Sequence, residues 1–182
     1  MTDKKLYENE DLAIKLALEL EDLKKTIEQM NEKRGGIFLD WMKIQNNYLQ
    51  WEESFDPSYL RAYKRAEIVL AHFGFNVGAE YGGMHYAVVV KDSSKKNPNL
   101  NVVPLSSMDD DEAVEDLHRD RVFLDVIKAL NDKRSVAIPD QIRPISKLRI
   151  YKPRKTKDGV FKLNDIQMDL IDDKIRRLYT KK

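Results

Sequence analysis

The chain has 182 residues, enough for one ordinary domain plus an appendage. Its 42% hydrophobic residues supply a core, its 35% charged residues predict a wet surface or a helical arm, and its formal charge of +1 excludes a global pull toward anions, so any anion-binding face is a local patch. Without cysteine there are no disulfides, thiolate metal sites or cysteine nucleophiles, and three scattered histidines (His72, His85, His118) make no metal cluster. No cofactor is expected. The first residues lack an apolar signal core and no apolar run nears the roughly 20 residues of a membrane span, so the expectation is a cytoplasmic protein that meets no membrane.

The predicted elements begin with a long helix over 5–33. Ala13, Leu16, Leu20, Leu23, Ile27 and Met30 recur at the three-four spacing of a coiled-coil seam, and Gly35-Gly36 should end the helix. Residues 1–36 therefore read as a coiled-coil-like arm, which either joins two copies or folds back over its own domain. Residues 37–63 read as an aromatic helical segment carrying Phe38, Trp41, Tyr48 and Trp51, broken at Asp56-Pro57 and resumed over 58–66. That segment should pack on the domain C-terminal to it.

From Glu67 the texture becomes strand-like. "EIVLAHFGF", "HYAVVV", "LNVVPLSS" and "RSVAIPDQIRPISKLRI" are rich in β-branched residues and separated by turn residues, the pattern of a small, strongly bent β-barrel over 64–182. An acidic insertion, "MDDDEAVEDLHRD", interrupts it. A basic segment at 151–159 reads equally well as a solvated linker or an electrostatic rim. A closing helix follows, with Asn164 as N-cap, Gln167 as its capping-box partner and an Ile171/Ile175/Leu178 stripe.

The stretch "AEYGGMHYAVVV" places a double glycine and a histidine at the mouth of a strand, and "LNVVPLSS" ends the neighbouring strand on two hydroxyls. Glycines let backbone approach a ligand and offer N–H groups to it. A histidine with an ordinary pKa near 6.5 suits either proton role, and serine donates to a phosphate oxygen. Each feature also has a plain structural reading: His85 as a half-buried strand residue, Ser106 and Ser107 as strand caps, Arg143 in an ion pair, Lys91 on a solvated hairpin tip.

In order, "KRAEIVLAHFG", "VGAEYGGMHYAVVV", "LNVVPLSS" and "PDQIRPISKLRI" resemble the segments of the MazF/PemK family of toxin endoribonucleases, over roughly residues 64–180. The resemblance implies an α+β fold: a small SH3-like β-barrel with an N-terminal helical extension and a C-terminal helix. It implies a homodimer held in check by an antitoxin protein, and cleavage of single-stranded RNA by 2′-OH attack without a metal. Carried onto this chain, it makes His85 and Ser106 the catalytic candidates. Arg65, Glu80, Gly82, Gly83, Ser107, Arg143 and Lys91 become the RNA-binding candidates. Two positions depart from the family pattern. His85 stands where a catalytic arginine is usual, leaving protonated His85, Arg143 or Arg65 to supply positive charge, and Ala66 stands where a glycine is usual. The departures keep open a second reading, a catalytically degenerate barrel that binds RNA or protein.

Overall fold

The computed structural model describes residues 4–109, 111–127, 130, 133–152 and 160–180. Two compact units, Met1–Ile44 and Gln45–Lys182, are taken separately. In the first, a 3-10 turn (Leu6–Glu8) leads into α1 (Glu10–Glu28), capped by the Asn9 side chain, which accepts from the Leu12 N–H. The predicted helix thus ends earlier than Gly35-Gly36. Asn31 accounts for the difference: its side chain accepts from the Arg34 N–H at 2.9 Å and starts a new helix, α2 (Glu32–Glu52). A cap is worth about 1 kcal/mol, and the glycines fall in the first turns of α2, where their penalty does not break the helix. Of the expected seam, Leu16 and Leu20 are exposed, and α1 contains no buried residue.

The second unit opens with the last turns of α2, which carry Tyr48. Its hydroxyl meets His72 Nδ1, and the two rings lie 6.0 Å apart between centroids. After Asp56-Pro57 the helix does not resume over 58–66. A single 3-10 turn (Pro57–Tyr59) gives way to extended chain, where buried Tyr63 exchanges both backbone hydrogen bonds with Ser93.

Among the described residues six strands follow: β1 (Ile68–Gly74), β2 (Gly83–Val89), β3 (Asn99–Ser107), β4 (Val122–Val126), β5 (Arg134–Ala137) and β6 (Arg143–Ser146). All pair antiparallel, in the order β1-β2-β3-β5-β4, with β6 also on β3. The fold is α+β, and the sheet is open, because its path ends at β1 and β4 without pairing them. β5 and β6 run in succession along one edge of β3. Leu105 faces Ala137 and Val102 faces Arg143, and the 3-10 turn Pro139–Gln141 takes up the register change between them. Proline has no N–H to give the ladder, so the interruption falls there.

Alternation along β1–β3 buries both faces of the sheet. Val69, Ala71, Phe73, Ala87, Val89, Leu100 and Val102 form one cluster with Ile145 and Ile150. Ile68, Val88, Val103 and Leu105 face the other way, under α3 (Asp165–Tyr179), whose Met168 and Ile171 are buried among them. The Ile171 side chain contributes about 1.5–3 kcal/mol by that burial. The Asn164–Gln167 capping box starts α3 as read from sequence.

Ala66 carries φ +70, in the left-handed region that costs a residue with a Cβ about 1–2 kcal/mol. It is held there by both its backbone groups: its N–H donates to Val89 O at 2.8 Å and its carbonyl accepts from Leu163 N at 3.0 Å. Ala66→Gly relieves the strain and loosens the unfolded chain, so the expected result is a net gain of about 0.5–1 kcal/mol, read from the urea midpoint.

Candidate active site

The β1–β2 ladder carries the site. A bulge between His72 and Gly74 brings Gly74 opposite Gly83, both at positive φ (+98 and +81). Gly82 sits so close to β1 that a Cβ there would stand 2.7 Å from the Gly74 carbonyl oxygen. The double glycine is therefore required by backbone packing before any ligand is considered.

His85 follows two residues later, opposite Ala71. Its ring lies against the glycines, with Nε2 3.2 Å from where a Gly83 Cβ would be. Its other edge faces Tyr81, whose hydroxyl is 3.0 Å from Nδ1 and whose ring centroid is 4.5 Å away. Tyr81 Oη also donates to Leu105 O at 3.3 Å, and the Ser106 hydroxyl donates to Ser107 O at 3.3 Å. His85, Ser106 and Ser107 share a cleft of about 190 Å³ with Leu70, Met84, Tyr86, Leu105, Leu130 and Ser135. At about 30 Å³ per water this is some six waters' worth, enough for a phosphodiester linkage. The two catalytic candidates thus reach one concave surface.

A second group meets Tyr81 from behind. Gln141 Oε1 accepts from the Tyr81 N–H at 3.2 Å and from Arg143 Nη2 at 2.8 Å. The Arg143 guanidinium lies 5.5 Å from the Phe73 ring centroid, and Phe73 stacks edge-on to Tyr81 at 5.8 Å. Arg143 is thereby joined to the His85 corner.

Other candidates sit elsewhere. Arg65 donates to Asp172 of α3 and to Val90 O, and Lys91 lies just past the far end of β2, about 20 Å along the strand from His85. Glu80 is exposed on the turn before Tyr81, its N–H bonded to Val77 O. The acidic insertion starts at Met108, directly after Ser107, and Arg134 Nη2 donates to the carbonyls of Asp109 and Glu112. Asp110 and the basic residues 153–159 lie outside the described residues. Tyr81 and Gln141 were missed in the sequence. An aromatic residue immediately before the double glycine was the one available signal.

Burial pushes the His85 pKa below the ordinary histidine value, against a hydrogen bond with the Gly82 backbone that favours the protonated ring. The ring is accordingly neutral at pH 7 and suited to accept a proton. That leaves Arg143, of the three cations weighed from sequence, as the one joined to this corner. Burial also raises the Tyr81 phenol, while the Ser106 hydrogen bond and the Arg121 guanidinium pull it down. Among the described residues no group of three or more histidine, aspartate or glutamate side chains could hold a metal ion. No described helix is long and apolar enough to cross a membrane.

Residues 64–179 match the family described as PemK-like, MazF-like toxin of type II toxin-antitoxin system. The chain belongs to this family. Among solved structures, MazF from Deinococcus radiodurans (Form-I) is 15% identical, covering 64% of this chain and 96% of that one with a TM-score of 0.49. A MazE-MazF crystal form from the same organism is also 15% identical, covering 64% and 94%, with a TM-score of 0.44. A search of curated proteins returned no match. Relative to the PemK/MazF segment, residues 1–63 are an N-terminal extension.

His72 is likewise pushed down, chiefly by burial and then by Arg149. The unfolded chain, with histidines near 6.5, takes up these two protons before the folded chain does. Their contribution to stability is therefore intact above the ordinary histidine range and lost as pH falls through it toward the depressed values. Urea midpoints measured between pH 8 and pH 5 should fall on the acid side, and less steeply in a His72→Gln, His85→Gln double variant.

Proposed function

We infer that this PemK/MazF-family protein is the toxin of a toxin–antitoxin pair and an endoribonuclease that cuts single-stranded RNA without a metal. The observation that carries the reading is the convergence of His85 and Ser106 on one cleft, with Tyr81 Oη 3.0 Å from His85 Nδ1 and hydrogen-bonded to the Leu105 carbonyl next to Ser106.

The chemistry is set by what RNA brings to the site. The ribose 2′-oxygen attacks the adjoining phosphorus, the P–O5′ bond breaks, and the 2′-proton must leave as a proton arrives on the 5′-oxygen. Neutral His85 takes the first proton, and as imidazolium it returns one to the departing oxygen. A placed group in this role supplies about 10²–10⁴-fold. Ser106 donates to a non-bridging phosphate oxygen, and the Gly82-Gly83 backbone lets the phosphate come close. Arg143 offsets the charge that builds on phosphorus, a contribution of comparable size in a partly buried site.

The family description supports an antitoxin protein as partner. A homodimer acting in the cytoplasm is the assembly that fits the resemblance. In this reading the extension over 1–63 is an addition to the RNA-cutting segment, with 1–36 as an arm and 37–63 as its bridge to the sheet.

The test is incubation of the protein with single-stranded RNA in EDTA. The expected products carry 2′,3′-cyclic phosphate ends, and His85→Ala lowers the rate by about 10²-fold or more. Intact RNA at high protein concentration overturns the nuclease reading. RNA bound without turnover, equally by His85→Ala, selects the degenerate binding module instead.

A further inference from the structure

His85 can serve as a proton acceptor in the cleft only if the nitrogen that faces substrate carries no proton. A neutral imidazole holds one proton on one of two nitrogens, and which nitrogen holds it is set by the partner of the other. Both edges of this ring are in contact with the protein. The Nδ1 edge meets Tyr81 Oη at 3.0 Å, and the Nε2 edge runs along the glycine backbone.

The hydroxyl of Tyr81 has one proton and two lone pairs to place. Its proton has an acceptor in the Leu105 carbonyl at 3.3 Å, a group that can only accept. The Ser106 hydroxyl, one residue beyond Leu105, gives its own proton to the Ser107 carbonyl at 3.3 Å. A lone pair of Tyr81 faces His85 Nδ1. A hydroxyl used in this way gives one bond, to Leu105 O, and receives one, from Nδ1–H.

We propose that Tyr81 is a positioning residue: by accepting from Nδ1–H, with its own proton committed to Leu105 O, it fixes His85 in the tautomer whose Nε2 is free to take a proton. This rests on the nuclease reading for its use, but the tautomer itself does not. Tyr81 is not among the residues lining the cleft and touches no substrate there; it acts through His85. The arrangement has the general form of a base oriented by a third group. Here the third group is a neutral phenol, anchored by a strand carbonyl, by Gln141 on its own N–H and by the edge of Phe73.

Tyr81→Phe removes one oxygen and keeps the ring. Without that acceptor, Nδ1–H has no partner, so the tautomer should reverse. The experiment is long-range proton–nitrogen correlation on the nitrogen-15-labelled full chain at pH 8. Expected are Nδ1–H for His85 in the parent and predominantly Nε2–H in Tyr81→Phe. In RNA cleavage, kcat should fall roughly 10- to 100-fold, part of what a placed base supplies, with KM within about twofold. A parent His85 in the Nε2–H form overturns the proposal, and so does a tautomer unchanged by Tyr81→Phe. If the variant does not fold, the parent spectrum alone decides. If the parent shows Nδ1–H yet leaves RNA intact, the nuclease reading falls while the role of Tyr81 stands.

Discussion

No side chain fits between the Gly82 Cα and the carbonyl of Gly74. That single close approach of two backbones, tighter than a Cβ permits, sets the geometry of everything at this end of the sheet. The β1 bulge that precedes it places Gly74 opposite Gly83, and both take φ values favoured by glycine. The chain can then turn Tyr81 back under its own strand, so that a residue four positions before His85 meets the imidazole edge instead of pointing to solvent. With that contact go the bond to Leu105 and, through Gln141, the tie to Arg143.

Charge is partitioned along the same ladder. At its far end, ions are spent on structure. Glu67, almost wholly buried, is paired with Arg61 and approached by Lys162 at 3.9 Å, and Arg65 is tied to Asp172 of α3. A buried carboxylate without those cations would be strongly destabilising, so their function is to make the start of β1 and its contact with 160–163 specific. At the glycine end the described groups are an imidazole pushed toward neutrality, hydroxyls, and arginines that approach through Tyr81.

The strands were legible because β-branched runs bounded by glycine, proline and asparagine have few other ways to fold, and the closing helix because its capping box is a local signal. Local signals failed where two of them competed. Gly35-Gly36 look like a helix stop, yet Asn31 caps a new helix ahead of them, and capping outweighs glycine's cost in a first turn. Residues 58–66 look helical, yet after the turn at Pro57–Tyr59 Tyr63 gives its backbone hydrogen bonds to Ser93 and not to a helix. At the site, a histidine after a double glycine and hydroxyls at a strand end could be read from their chemistry. Tyr81 and Gln141 could not, since nothing in a tyrosine's or glutamine's neighbours announces which distant carbonyl or N–H it will meet.

The sequence by itself determined the α+β class, the order of strands, the PemK/MazF segment with its helical extension, and the residue types available for proton transfer. These depend on periodicity, on glycine and proline, and on side-chain chemistry, all of which act over a few residues. Only the tertiary structure decided that β5 and β6 share one edge of β3, that Arg65 belongs to α3 and Arg143 to the histidine corner, and that burial drives His85 toward its neutral form. Those outcomes depend on which groups are brought together across tens of residues, and on how much water is left between them.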